Sequence, residues 1–401
     1  MPKLGVKLRE KFKETGNIKL VQKAFSEGLR EKKIAKSDFS IRELADAFMG
    51  ERASTMLQRY SDDVRFRESE AAVDASNFSA ITGQLLVDTV KEKYELATLV
   101  GNEIFTDVPV SNGNLGTQIE PGLGRVKNLA SPVNQQQNYP HTTFDSHSVT
   151  YPAPVKRGLI CNVTMEAIFS DLTTQIIESA ESVGDMTGVT VEFDKMSVFL
   201  GVSNSFVYNG TGLTTYNSAS WGNSLLNFTF TDYRSMNTIE QLFSKMRDPF
   251  TGLPIRVDVK DVFVMPAMRY AVNRILTASI VNIGNITLGE GIQTSGPNLL
   301  TGNQRVITSA LARHLLTVGV EGFALPGTFT DAVADTVQVF GDFKKAFVNR
   351  VVYPLRVTQA PPLNPLDFGQ DIVLSVKASV YSKAAVRDPK YVTRTYNAAA
   401  V

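Results

Sequence analysis

Residues Gly158 to Gly201, GLICNVTMEAIFSDLTTQIIESAESVGDMTGVTVEFDKMSVFLG, constrain this chain more than any other stretch. They read as a short strand feeding one very long helix. Met165, Ile168, Phe169, Leu172, Ile176, Ala180, Val183 and Thr187 recur mostly at spacings of three and four, which lines up a single apolar stripe on a helical period. Thr164 is placed to cap the helix, and Glu166 sits in the first turn, where a carboxylate favours the positive end of the helix dipole. Glu178, Glu181, Asp185 and Glu192 fall mostly off the stripe. Gly184 and Gly188 weaken the helix by roughly 1 kcal/mol each relative to alanine, so a kink is expected there. At about 1.5 Å per residue the helix spans on the order of 40 Å, long enough to act as a strut along which other elements pack.

With 401 residues and 43% hydrophobic content the chain can fill two or three domains or subdomains. The formal net charge of +1 gives no global field toward nucleic acid or a membrane surface. The first 36 residues differ, with eleven Lys and Arg against four Glu. Their helically spaced apolar residues, Leu4, Leu8 and Phe12, then Leu20, Val21, Phe25 and Leu29, predict two short helices or a partly ordered arm. The basic residues read first as a solvated helix face and second as an electrostatic contact with nucleic acid or an acidic partner. A single cysteine, Cys161, excludes an internal disulfide framework and favours a reducing compartment. The N-terminus lacks a secretory apolar region, and no run reaches the roughly 18 apolar residues of a membrane span, so a soluble, non-exported chain is expected.

Ser40 and Glu43 form a capping box that starts a helix from Ile41 to about Tyr60, loosened near Gly50. Phe78, Ile81, Leu85, Val90, Tyr94 and Leu99 predict a second amphipathic helix. The first hundred residues therefore read as an extended helical arm rather than a compact domain. Residues 105–157 change texture, being rich in Gly, Pro, Asn and Gln, with strand-like TQIE and His147 to Tyr151. So few apolar anchors cannot hold a core, which predicts a long two-stranded excursion that depends on something outside itself. Trp221 lies in a polar, turn-rich segment and reads as exposed. Asp232 to Met246 reads as a helix, and Val262 to Met265, Pro266 and Met268 to Leu276 as a strand–proline–helix unit. Phe347 to Val357 and Asp371 to Tyr381 read as long strands bracketing a proline-rich bend; in the second, Ile372, Leu374, Val376, Ala378 and Val380 alternate, so one face is buried.

Candidate chemistry is sparse. His141, Asp145 and His147 could bind a metal on paper, but a polar loop offers no preorganised geometry. His314 reads as a core or surface histidine, and Cys161, between Ile160 and Val163 in the apolar run, as a buried small hydrophobe rather than a nucleophile. GxSxG, HExxH, P-loop and CxxC patterns are absent from the sequence. No catalytic, cofactor-binding or metal residue is assigned, no cofactor is expected, and an enzyme is not supported.

The order of parts, with the stretches FSAITGQLLVDTVKEKYE, RGLICNVTMEAIFSDL, VFVMPAMRYAVNRIL and DIVLSVKASVYSKAAVRDP, resembles the major capsid protein of tailed bacteriophages with the Hong Kong 97-type fold. The resemblance implies an α+β capsid fold divided into a helical N-terminal region and arm (1–103), an extended loop (104–157), a peripheral domain with its spine helix (158–202), an axial domain (203–345), and returning peripheral strands with a C-terminal tail (346–401). It further implies self-assembly into pentamers and hexamers of an icosahedral shell around double-stranded phage DNA. Portal, scaffolding and decoration proteins would be partners, membranes would not, and the site would be the virion, assembled in the host cytoplasm. Lys127 and Lys156 lie in the loop region without an acceptor pattern for covalent crosslinking. An encapsulin-like compartment shell is the alternative in the same fold; a metal-dependent hydrolase using His141, Asp145 and His147, and a DNA-binding regulator using residues 1–36, are alternatives of other classes.

Overall fold

The computed structural model describes the chain apart from residues 1–3, 32, 35–38, 50–69, 97–98, 111–114, 122–129, 131, 142–147, 204–205, 229, 231–232, 248–253, 256, 285–292, 299–303, 321–328, 361–371 and 399–401. The helices are α1 (Leu4–Thr15), α2 (Ile18–Arg30), α3 (Ile41–Met49), α4 (Glu70–Leu96), α5 (Gly101–Ile104), α6 (Met165–Phe169), α7 (Thr173–Phe199), α8 (Tyr233–Lys245), α9 (Arg269–Thr277), α10 (Ala310–Thr317), α11 (Asp331–Asp335) and α12 (Phe343–Ala346). The strands are β1 (Thr106–Pro109), β2 (Gln118–Pro121), β3 (Ser148–Tyr151), β4 (Val155–Thr164), β5 (Phe206–Tyr208), β6 (Thr211–Leu213), β7 (Ser224–Leu226), β8 (Asp261–Val264), β9 (Ile280–Gly284), β10 (Gln293–Pro297), β11 (Arg305–Ile307), β12 (Gln338–Gly341), β13 (Phe347–Gln359), β14 (Ile372–Val386) and β15 (Val392–Tyr396). The fold is α+β, as expected. It divides into unit 1 (Met1–Thr98, Lys156–Thr190, Tyr353–Tyr381) and unit 2 (Leu99–Val155, Val191–Val352, Ser382–Val401), and the chain passes between them within α7, β13 and β14.

Unit 1 is built on one apolar core. Leu8, Val21, Phe25, Phe39, Ile41, Leu44 and Phe48 from the N-terminal segment join Phe78, Ile81, Leu85 and Val90 of α4, Ile168, Ile176 and Ala180, and Leu374, Val376 and Ala378 of β14. The N-terminal helices are thus not an extended arm. Their four-residue apolar spacing places Val21 and Phe25 on one face, and both are buried, with Ile18 and Leu29 partly covered beside them. Ser40 performs the capping role, accepting from the backbone N–H of Arg42 at 3.1 Å and Glu43 at 3.3 Å, while Thr164 accepts from Ala167 N–H at 3.4 Å. The continuation of the predicted α3 beyond Met49 lies outside the described residues.

The long helix departs from expectation in two places. A break separates α6 from α7, with Asp171 in the left-handed region at φ 53°. The start of α3 holds this break: Ile41 N–H donates to Thr173 Oγ1 at 2.8 Å, Arg42 Nη1 donates to the Phe169 carbonyl at 3.1 Å, and Ser40 Oγ donates to Asp171 Oδ1. At Gly184, by contrast, α7 runs unbroken. A side chain there would put its Cβ 2.4 Å from the Val90 carbonyl oxygen, so glycine lets α4 and α7 touch backbone to backbone. On β14 the alternating residues Ile372, Leu374, Val376, Ala378 and Val380 are all buried, as their period predicts.

Unit 2 centres on a five-stranded sheet ordered β11–β8–β12–β15–β7. One face carries Val262, Val264 and Phe340 against Met236, Ile239 and Phe243 of α8 and Val272 and Leu276 of α9. The other carries Phe263, Val339 and Ile307 against Leu315 and Leu316 of α10, Phe343 and the end of α7. There the Phe199 ring meets Phe263, Phe343 and Phe347 at 4.9, 5.0 and 5.3 Å between centroids. β15 pairs with β12 and so joins this sheet, whereas the end of β14, which also belongs to unit 2, stays in the four-stranded sheet β1–β13–β14–β4. Trp221 is buried at 9% exposure, with its ring 5.9 Å from Phe206 and 5.4 Å from Tyr208, because β5 folds these aromatics onto it. Its polar neighbours in sequence point to an exposed Trp221, but tertiary packing of these aromatics buries it.

Candidate functional site

The strand-like pieces read in the excursion are β2 and β3, paired antiparallel from Gln118↔Tyr151 to Pro121↔Ser148. β3 also pairs with β5, giving a four-stranded sheet β2–β3–β5–β6. The excursion is therefore anchored at a short stem, and the described residues 132–141 beyond it are exposed but for one half-buried residue and form no regular strand.

Two arginines clamp the stem. Arg350 lies on β13, whose inner part pairs in parallel with β1, and is 2% exposed. It donates to the Pro152 carbonyl at 2.8 Å and to Gln118 Oε1 at 3.0 Å, so it grips both strands, and its guanidinium lies 6.0 Å from the centre of the Tyr151 ring. Arg387, just past β14, donates to Glu120 Oε1 at 3.4 Å. The Tyr151 hydroxyl donates to Glu120 Oε2 at 2.5 Å. Burial, reinforced by the Glu120 carboxylate, pushes the Tyr151 phenol well above its ordinary range, so it stays a donor. Gln118 and Glu120 are two apart on β2 and project to one side, which is why two cations from neighbouring strands can hold them together. A cleft of about 380 Å³ opens beside this clamp, lined in part by Thr106, Lys344, Lys345 and Tyr391.

A second polar joint fixes the unit 2 part of α7. Glu192, 2% exposed, accepts from Gly101 N–H through both oxygens at 3.1 and 2.9 Å. Lys195 donates to Asn102 Oδ1 at 2.5 Å and lies 4.0 Å from Asp107. Asp194 accepts from Lys383 Nζ at 2.6 Å and Ala384 N–H at 2.9 Å. Burial raises Glu192 to about 6 despite the Gly101 bond and the Lys195 charge, and burial pulls Lys195 down against the neighbouring Asp107, Glu192 and Asp194.

Large apolar side chains stand in solvent on the excursion and its surroundings in unit 2, where Ile119 is 65% and Tyr139 81% exposed. In unit 1, Leu159 and Ile160 on β4, an edge strand of its sheet, are also exposed. The residues weighed for chemistry do not converge. His141 is exposed, whereas Asp145, His147 and Lys127 lie outside the described residues; His314 is exposed on α10, and Lys156 is exposed on β4. Cys161 is buried and its thiol is pushed up by burial. No group of three or more His, Cys, Asp and Glu able to hold a metal occurs among the described residues, and no described helix is long and apolar enough to cross a membrane. Sequence reasoning missed Arg350 and Arg387; the available signal was a lone cation inside the apolar run FVNRVVY.

No family model and no curated protein matches the sequence. Among solved structures, the chain is similar to the mature capsid of bacteriophage PhiM1 (11% identity, TM-score 0.43, 75% of this chain and 87% of that one). It is similar as well to the capsid of Cyanophage Pam1 (12% identity, TM-score 0.43, 74% and 89%) and to that of Cyanophage P-SCSP1u (12% identity, TM-score 0.41, 74% and 86%).

Proposed function

We propose that this chain is a structural shell protein of the Hong Kong 97-type fold, the major capsid protein of a tailed bacteriophage. Copies assemble as pentamers and hexamers of an icosahedral shell around double-stranded DNA, with the virion as its location and the host cytoplasm as its place of assembly. The observation that carries this reading is the excursion: its stem is held firmly by the buried Arg350 and more loosely by Arg387, yet the residues beyond it leave Tyr139 in solvent. A chain gains from building a held but uncovered limb when another copy covers it, which is how interlocked oligomers bury their surface. In this reading β2, β3 and the residues between them are the extended loop, α7 is the spine helix, the five-stranded sheet of unit 2 is the axial domain, and unit 1 is peripheral. The basic residues Lys7, Lys11, Lys13, Lys19 and Lys23, all exposed on α1 and α2, offer a non-specific contact to the packaged DNA.

Negative-stain microscopy and sedimentation of the purified chain test this. Capsomers or closed particles are expected, and a compact monomer at every concentration would overturn the reading. Particles that load a tagged enzyme but no DNA in the presence of phage packaging proteins would move it to a compartment shell.

A further inference from the structure

We propose that the cleft beside the stem binds a small oxyanion, phosphate or a carboxylate, and that Glu120 is its built-in competitor. The cleft collects three cations, Lys344, Lys345 and Arg387, around about 380 Å³. Lys344 is exposed and carries no ion pair among the described residues. Lys345 is held 3.1 Å from Asp342, which together with the hydrogen bond between them pushes its ammonium up and keeps it charged. Asp388, also in the lining, is turned toward Lys390 at 3.6 Å. Glu120 is then the carboxylate that the cleft's own donors hold, through Arg387 and the Tyr151 hydroxyl.

Those two bonds differ in strength. The Arg387–Glu120 contact is long at 3.4 Å, and both side chains are nearly half exposed, so solvent screens it. An incoming oxyanion can take Arg387, Lys344 and the Tyr151 hydroxyl in place of Glu120, exchanging one charge-assisted set for another. Glu120 belongs to β2, so its displacement loosens one of the two clamps on the stem while Arg350 keeps the other. Oxyanion binding and stem order are thereby coupled. The inference goes beyond the shell reading and does not depend on it, because it is measured on dilute, unassembled chain.

The test is calorimetric titration with inorganic phosphate at constant ionic strength, on the wild type and on variants of the exposed Lys344 and the partly buried Glu120. Saturable binding is expected for the wild type, weakened about fivefold or more by Lys344→Ala and tightened at least about threefold by Glu120→Gln, these being the effects of about 1 kcal/mol for one charged contact. A second arm asks whether acetate displaces phosphate: displacement marks a carboxylate as a competent occupant, and failure restricts the site to phosphate. Hydrogen exchange of the 118–120 and 148–151 amides supplies an independent readout. It should quicken when phosphate saturates the wild type and be quick already in Glu120→Gln. Absence of saturable phosphate binding in both the wild type and Glu120→Gln overturns the proposal, as does Glu120→Gln binding no more tightly than wild type, or phosphate slowing stem exchange.

Discussion

The core of unit 1 and the stem of unit 2 are joined by opposite means. In unit 1 the helices meet through phenylalanines and a glycine: Phe25, Phe48 and Phe78 are at most 1% exposed, and Gly184 lets backbones touch. In unit 2 the stem and the end of α7 are held by Arg350, Arg387, Glu192, Asp194 and Lys195, each through directed bonds. An apolar joint follows buried area and carries no charge for protonation or a competing ion to act on. A polar joint fixes direction, and it answers to protonation and to competing ions. A chain whose excursion must point a set way has reason to use the second kind at the stem.

The contrast can be broken at its strongest point first. Phe48→Ala should lower stability by about 3–5 kcal/mol in urea unfolding, because a buried ring in the shared core is removed. A loss under about 1 kcal/mol would mean the N-terminal helices do not share that core. Arg350→Met should lower stability by about 1.5–3 kcal/mol, since two charge-assisted bonds go and their acceptors stay behind. If the shell reading holds, particle yield by sedimentation should fall much further than the far-ultraviolet circular dichroism signal.

Glu192 sharpens the comparison through pH. Its carboxyl is raised from an ordinary 4.5 to about 6, so the folded state holds the proton more tightly than the unfolded chain does. That contribution is fully present below pH 4.5 and is lost as pH rises through about 6, a swing of about 2 kcal/mol. Glu192→Gln should flatten the stability profile in that window; an unchanged slope would show that the carboxylate is better solvated than its burial implies. The smallest effect is a reversal of sign. Gly184→Ala, a change that ordinarily stabilises a helix by about 0.5–1 kcal/mol, should here cost about 1 kcal/mol or more, as the methyl meets the Val90 carbonyl.

Local chemistry made several elements legible from sequence. Ser40 and Thr164 cap helices because a side-chain oxygen beside free N–H groups does so wherever it occurs. β14 shows its buried face because period-2 alternation has few other meanings. Features that failed to announce themselves are tertiary. The Ser170–Leu172 break carries no Pro or Gly and arises from bonds to residues about 130 positions earlier. Gly184 reads as a weak point when its neighbourhood is unknown and as a point of closest approach once Val90 is in place. Arg350 and Arg387 match no motif, because a clamp is defined by partners more than 190 residues away in sequence.

The meeting of α3 with the break before α7 has a practical corollary. Ser40, Ile41 and Arg42 satisfy groups at Phe169, Asp171 and Thr173, and Phe39, Leu44 and Phe48 share one core with Ile168 and Ile176. Trimming the front of this protein is therefore not a neutral edit. A version beginning at residue 70 would leave Ile168 and Ile176 wet and the Phe169 carbonyl without its donor, and it should clump before it could be put to use.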